Sequence, residues 1–379
     1  MQTKGIKRIK WYHWGGLILA LLLFSVWLVG GHDDFLYSQP IVQIKRVTNG
    51  HTSKVSDEFN NQDTQRTQIL TGQITNGVQQ GKKVTIENTY SQSRALDQRY
   101  HVGQKVFVVL HTKPKLKATI KESKRDQVIW LLVCLAVITL LVTLGGSGIN
   151  AIVSMGINTL LFFLALQLNK QTDGGQVLPI FVSLAVIFAV ITLGLVIGIN
   201  RQMVITLLAV VGATALAVIL SEIVIALTGA HGVYYESMEY VTQPPKPLFL
   251  AEVIIGVLGA AMDVATDIIA SLVALKQERP ELSKRALFNS GRQIGQAIMG
   301  PLINVLFFIF MAETLPMTLI YLCNGNTWAY SFSMNMSLGM LSSLISAIGI
   351  VLTVLLASTL ASWGGIKAPN RKEQSKWER

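Results

Sequence analysis

The sequence predicts an all-α polytopic membrane protein, with about eight transmembrane helices and a small extracytoplasmic β-barrel-like module. Composition gives the first reason. Of 379 residues, 51% are hydrophobic and 14% charged, and mean hydropathy is +0.47. Soluble chains carry about 25% charged residues. The second reason is a series of apolar runs long enough to cross a bilayer. The third is one polar interlude, residues 31–126, where apolar and polar side chains alternate in short stretches.

The chain opens with MQTKGIKRIKW, carrying Lys4, Lys7, Arg8 and Lys10, and an apolar run from Gly15 to Gly30 follows. The run is long for the core of a signal peptide, and no small-x-small cleavage site follows it, so residues 1–30 read as a cytoplasmic segment and a retained helix rather than a cleaved leader. In 31–126 the stretches IVQIKRV, TQILTGQI, KKVTIEN and QKVFVVL alternate. The turn signals Asn49-Gly50, Asn76-Gly77, Gly81 and Val102-Gly103 separate them. That pattern predicts strands of a small barrel or sandwich, with an OB-like barrel suited to YHVGQKVFVVL. Such a barrel binds oligonucleotides or sugars in some proteins. Here no strand is rich in aromatic residues, which favours a structural cap or docking module.

After Asp126 apolar runs cover 127–144, 150–168, 177–199, 203–228, 248–275, 297–321 and 336–362. Residues 127–362 thus form a seven-helix membrane domain, and 363–379 a basic tail. Charge orients it. The segment after the sixth span holds Lys276, Arg279, Lys284, Arg285 and Arg292, and the tail holds Lys367, Arg371, Lys372, Lys376 and Arg379. The alternate loops 169–176, 229–247 and 322–335 carry few basic residues. By the positive-inside rule both termini are cytoplasmic and the β module lies outside. The net charge of +11 gathers in these short segments beside apolar runs, which argues for a lipid bilayer as partner and against nucleic acid. Cys134 lies in an apolar run and Cys323 in a loop, with no disulfide framework or zinc spacing.

The sixth span, FLAEVIIGVLGAAMDVATDIIASLVAL, carries acids. At about 100° per residue, Glu252, Asp263 and Asp267 share an arc of roughly 60° with Gly256 and Gly259. A carboxylate at the bilayer centre costs about 2.5–3.5 kcal/mol on insertion scales, so it faces protein or a wet cavity. Two readings stand. The acids bind neighbouring helices, or they line a substrate or ion path. On the seventh span Gln293, Gln296, Gly300 and Asn304 share a face, and Pro301 frees the carbonyl of Ala297 beside Asn304. That is either a packing kink or a coordinating element. Glu222 and Glu313 lie towards span ends, and no Lys or Arg lies deep in a span to balance them.

The remaining polar features read as packing. Ser342, Ser346, Gly349, Thr353 and Ala357 make one small face on the last span. Gly194 and Gly198 read the same way, and Asn150, Ser154 and Asn158 as interhelical hydrogen bonds. No phosphate-binding GxxxxGK[ST] loop or HExxH pair is present, and Asp263 and Asp267 sit on one helix rather than converging from two. The chain therefore reads as no enzyme, with no catalytic residue, cofactor or metal.

The stretches GVLGAAMDVATDIIASL and LFNSGRQIGQAIMGPLINVLFF resemble the YibE/F-like family of bacterial polytopic membrane proteins. Gly259, Ala260, Met262, Asp263, Val264 and Ala265 match that family's glycine-alanine-x-methionine-aspartate-valine-alanine helix. Ser290, Gly291, Ile294, Gly295, Met299, Gly300 and Asn304 match a second segment, where the family has isoleucine-glycine-arginine-aspartate-x-methionine-glycine. The resemblance spans residues 127–362, and an external module before the spans also fits it. It implies a multi-pass protein of the bacterial cell membrane and a transport-related role, as a permease or permease subunit, with the substrate left open. Gln296 and Ala297 depart from the motif, standing where it has arginine and aspartate. If that arginine neutralises the aspartate matching Asp263, the departure implies a subunit that pairs with a paralogous membrane subunit. The other reading is a non-transporting scaffold or accessory subunit.

Overall fold

A computed structural model describes residues 25, 33–56, 62–94, 97–111, 116–172, 175–238 and 244–364. The chain divides into two compact units, Met1–Gly145 and Gly146–Arg379.

The first unit contains a closed five-stranded barrel, β1 (Ile41–Ser56), β2 (Gln62–Ile74), β3 (Lys83–Ser91), β4 (Lys105–His111) and β5 (Lys117–Ser123), followed by helix α1 (Asp126–Leu144). Strand order is β1-β2-β3-β5-β4, and β1 pairs with β4 to close it. A crossover seats β5 between β3 and β4, and the sheet closes as the small barrel that alternation predicts. Alternation does the sorting. Leu70 and Ile74 point inward while Ile69 and Gln73 face out, and Val84 and Ile86 alternate with Thr85 and Glu87. With Val42, Ile44, Val106 and Val108 they fill the interior. Each buried aliphatic side chain contributes about 1.5–3 kcal/mol.

Two parts of the barrel differ from the sequence expectation. Asn49-Gly50 is no turn. It lies inside β1, at a register shift between Asn49 and Thr52, and the strand runs on to Ser56 against β2. A bulge and a hairpin turn draw on the same Asn-Gly chemistry. The fifth strand, KATIKES, is additional to the four alternating stretches. The other glycine signals do mark turns, as at Gly103, where φ is 94°.

Buried charge ties the barrel to the start of α1. Lys124 Nζ lies 2.6 Å from Asp33 and 3.0 Å from Asp126, and Lys105 Nζ lies 2.7 Å from Asp34. Tyr37 donates its hydroxyl to Asp126 at 2.6 Å. Burial opposes the charge on Lys124, but hydrogen bonds to Asp33 and Asp126 outweigh it and hold the amine above its ordinary value. The bond to Asp126, and then burial, push the Tyr37 phenol well up.

The second unit holds α2 (Gly146–Gln171), α3 (Val177–Val196), α4 (Arg201–Leu227), α5 (Pro245–Glu278), α6 (Lys284–Cys323) and α7 (Trp328–Trp363), the last containing a π-turn at Phe332–Met336. With α1 these make seven helices, among the described residues, long and apolar enough to cross a membrane. All seven runs expected after Asp126 are there. The expected first span, 15–30, lies outside the described residues apart from Ser25, and so does most of the basic tail, so eight spans are not supported. Cys323 is the last residue of α6 rather than a loop residue.

α5 is the hub, touching α3, α4, α6 and α7. Val253, Val257, Ala261, Val264, Ile268 and Leu272 recur at helical spacing and are wholly buried. The small face of α7 packs as expected. Ser346, Gly349, Thr353 and Ala357 are buried, and a Cβ on Gly349 would lie 2.5 Å from Val257 of α5. Thr353 satisfies its hydroxyl on the Gly349 carbonyl at 2.7 Å. On α2, Ser154 and Asn158 reach Thr192 of α3 at 3.2 and 2.8 Å. Gly198 does not pack within a helix. It follows α3 with φ 87°, a left-handed stop, which explains why glycine is there. The outer faces of the helices expose Leu208, Ile219, Val224, Leu227 and Phe308. Exposed apolar side chains this numerous on long apolar helices are compatible with a bilayer.

Candidate functional site

The residue pattern of α5 divides that helix into a dry side and a polar side. Opposite the buried face, Glu252, Gly256, Gly259, Asp263 and Asp267 are all exposed. On the neighbouring α6, Gln293, Gln296, Gly300, Asn304 and Glu313 are exposed as well. The two polar faces read from sequence therefore stay open in the single chain, rather than being spent on helix packing among the described residues.

One close approach and one electrostatic neighbour show how the two helices run past each other. A Cβ on Gly291 of α6 would lie 2.9 Å from Leu272 of α5. Towards the other end, Glu313 is within electrostatic reach of Glu252. Counting from Gly291 and Leu272 at about 1.5 Å rise per residue on both antiparallel helices puts Asp267 near the level of Gln296 and Asp263 near that of Gly300. Asn304 falls level with Gly259 and Ala260. The candidate residues thus form a ladder along two adjacent helices. Asp263 and Asp267, one turn apart, repel each other. No hydrogen bond joins Gln296 or Asn304 to an acid among the described residues.

α6 is held in place by α7. A Cβ on Gly291 would lie 2.6 Å from Ser358 Oγ, and one on Gly295 would meet the Val354 methyls. Glycine at both positions lets the backbones approach closely. Pro301 and Pro316 lie inside α6, each removing one backbone donor.

Glu222 does not belong to the ladder. Its carboxylate lies 2.8 Å from Lys246 at the start of α5, so it has a base in this chain, contrary to the sequence expectation. The apolar run on α5 begins at Leu248, but the helix starts three residues earlier, at Pro245, which brings Lys246 into reach. Tyr235 lies beside the pair, and burial, then the Glu222 charge, raise its phenol above the ordinary value.

Two cavities among the described residues of the helical unit were not expected from the sequence. One of about 290 Å³ lies where α5 begins, α6 ends and α7 begins. Glu252 lines it, together with Met238, Met317, Tyr321, Met334 and Asn335. Its lining comes from segments far apart in sequence, and Met reads there as one more apolar residue. The other, of about 480 Å³, lies between α2 and α3 and contains the Ser154, Asn158 and Thr192 cluster. Among the described residues no three His, Cys, Asp or Glu side chains converge as a metal centre.

Residues 132–366 match the YibE/F-like protein family, and residues 35–123 match the YibE/F family N-terminal domain. The barrel and the helical unit each carry their part of one family pattern, and the chain belongs to the YibE/F-like family. No curated protein and no solved structure matches it.

Proposed function

We propose that this member of the YibE/F-like family is a multi-pass protein of the bacterial cell membrane that acts as a transport-related permease or permease subunit. Both termini are cytoplasmic and the barrel lies outside. The path follows the ladder of Glu252, Asp263 and Asp267 on α5 with Gln296 and Asn304 on α6, and Glu313 stands at its mouth. One observation carries this reading: the acids lie on the open side of a helix whose other side is wholly buried. Carboxylates that served only to bind helices together would be turned inward and paired. On an open side they need water, a cation or a partner's base. The reaction is movement of a cation or protonated solute, with no covalent step and no cofactor.

Proteoliposomes with a trapped pH dye and a potassium-diffusion potential test the path, with protons as the probe. Wild type should conduct, and Asp263→Asn should abolish conduction at unchanged abundance. Equal flux in the variant, or loss that tracks abundance, would return the acids to a packing role. Orientation is tested in a background lacking Cys134 and Cys323. Val78→Cys should label from outside and Ser283→Cys should not; the reverse pattern would overturn the topology.

A second reading has its own support. Asp263, Asp267, Gln296 and Asn304 are exposed, and Gln296 replaces the motif arginine near the level of Asp267. A paralogous membrane subunit carrying a base would cover the strip, making this chain an accessory or scaffold subunit. Native mass measurement in mild detergent decides, since a fully active assembly of this chain alone defeats that reading.

A further inference from the structure

The cavity at the head of α5 has an uncommon set of donors. Met238 follows the 3-10 turn Tyr235–Ser237, Met317 follows Pro316 in α6, and Met334 sits in the π-turn of α7. Three methionines from three separate segments therefore line one space of about 290 Å³. Two helix irregularities set the wall. The π-turn inserts an extra residue and re-aims its side chains, and Pro316 breaks the hydrogen-bond ladder opposite. Asn335 ties them together, donating to the Thr314 carbonyl at 3.0 Å and to Thr318 Oγ1 at 2.7 Å. Tyr321 is held against Tyr330, with ring centroids 6.1 Å apart. The cavity is thus fixed by polar and aromatic contacts rather than only filled by flexible side chains.

Its charge is equally particular. Among the described residues the Glu252 carboxylate has no hydrogen bond and no ion pair, and the acid within its electrostatic reach, Glu313, adds to the negative potential. Thioether sulfur is a soft, neutral donor. It is poorly suited to sodium, magnesium or calcium, which take oxygen ligands, and well suited to copper(I). Neutral sulfurs bring no charge of their own, so a bound cation is offset by the Glu252 carboxylate, with Glu313 as a further attraction.

We infer that this cavity binds a soft monovalent metal ion, copper(I) or its analogue silver(I), through Met238, Met317 and Met334, with Glu252 as counter-charge. Because Glu252 heads the acidic ladder, the inference deepens the path reading by naming the ion class met at its mouth.

The test is binding, measured without flux, so its failure is distinct from failure of the path. Full-length protein in detergent, with Cys134 and Cys323 replaced by serine, is titrated with silver nitrate in chloride-free buffer by calorimetry. One saturable site is expected. The volume-conserving variant Met238→Leu/Met317→Leu/Met334→Leu should weaken it at least tenfold, and Glu252→Gln severalfold. Met311→Leu, exposed on α6 away from the cavity, should change nothing. X-ray absorption of bound silver in the unmutated cavity should show sulfur neighbours, which keeps the test independent of how the triple variant folds. Absence of a saturable site, unchanged affinity in a folded triple variant, or an oxygen-only silver shell would overturn the inference. So would binding of tetraethylammonium that needs Glu252 but not the sulfurs, which would make the cavity a site for organic cations.

Discussion

Replacing Lys124 with methionine should loosen the barrel more than any exposed substitution would. The Lys124 side chain is 4% exposed and that of Asp33 2%, so neither charge can turn to water. Methionine keeps the stem and deletes the ammonium. It leaves Asp33 without its 2.6 Å partner and Asp126 without its 3.0 Å partner, with Asp34 close by. At an effective dielectric constant near 20, each contact is worth about 5.5–6.5 kcal/mol of Coulomb attraction before desolvation. Removing one partner of a buried pair costs about 3–5 kcal/mol net. Hydrogen exchange of the β1 and β4 amides in the full-length protein should therefore accelerate about a hundredfold or more. Adding Asp33→Asn to Lys124→Met should recover part of the loss, because the buried charge goes as well. The pH dependence has a definite sign. Lys124 and Tyr37 are both raised by folding, so their stabilisation is complete below their unfolded values. It is lost as pH rises through the folded values, which places loosening in strongly alkaline solution. Acceleration below tenfold, or a double variant no better than the single, would refute this account.

Three further outcomes follow from the helical unit. Gly295→Ala should cost about 1–3 kcal/mol in thermal unfolding, since its Cβ meets Val354, and Val354→Ala in the same chain should restore most of it; no recovery would mean the contact is not the cause. Asn158→Leu removes one hydrogen bond to Thr192 and should cost under about 1 kcal/mol, because such bonds between apolar helices average about 0.6. Glu222→Gln should cost no more than about 1 kcal/mol, because Lys246 is half exposed, and a larger loss would show that the pair holds the head of α5.

Much of the fold was legible where one physical rule acts alone. Apolar runs after Asp126 have no stable place outside a core or a bilayer, and all seven became helices. Alternation marked the strands themselves, and it sorts inward from outward side chains along the expected stretches except at Ile41 and Val42, which are both buried. Legibility failed where two structures share one chemistry. Asn49-Gly50 suits a hairpin turn and a bulge alike, and pairing with β2 selected the bulge. β5 carries only Ala118 and Ile120 towards the interior, so its alternation is faint. Lys246 is not legible as the partner of Glu222 because a proline-rich helix start reads as loop. The methionine cavity was invisible for another reason. Its lining is assembled by a π-turn, a proline and a 3-10 turn, none of which has an apolar period.

The register of α5 against α6 sharpens what the Gln296 departure predicts. Gln296 lies level with Asp267 and one turn from Asp263, so an arginine there could bridge either carboxylate with its planar fork. If a paralogous subunit normally brings a base to this strip, Gln296→Arg supplies one within the chain. The strip then no longer needs the partner's charge, and a second guanidinium at the interface repels the first. Co-purification with a paralogue should fall, while Gln296→Leu, which adds no charge, should leave it unchanged. If the strip instead carries cations through a chain acting alone, the same arginine occupies the path. Flux should then fall with no change in assembly. The two readings of the open face thus move different observables with one substitution, and a variant that alters neither flux nor assembly would remove Gln296 from both.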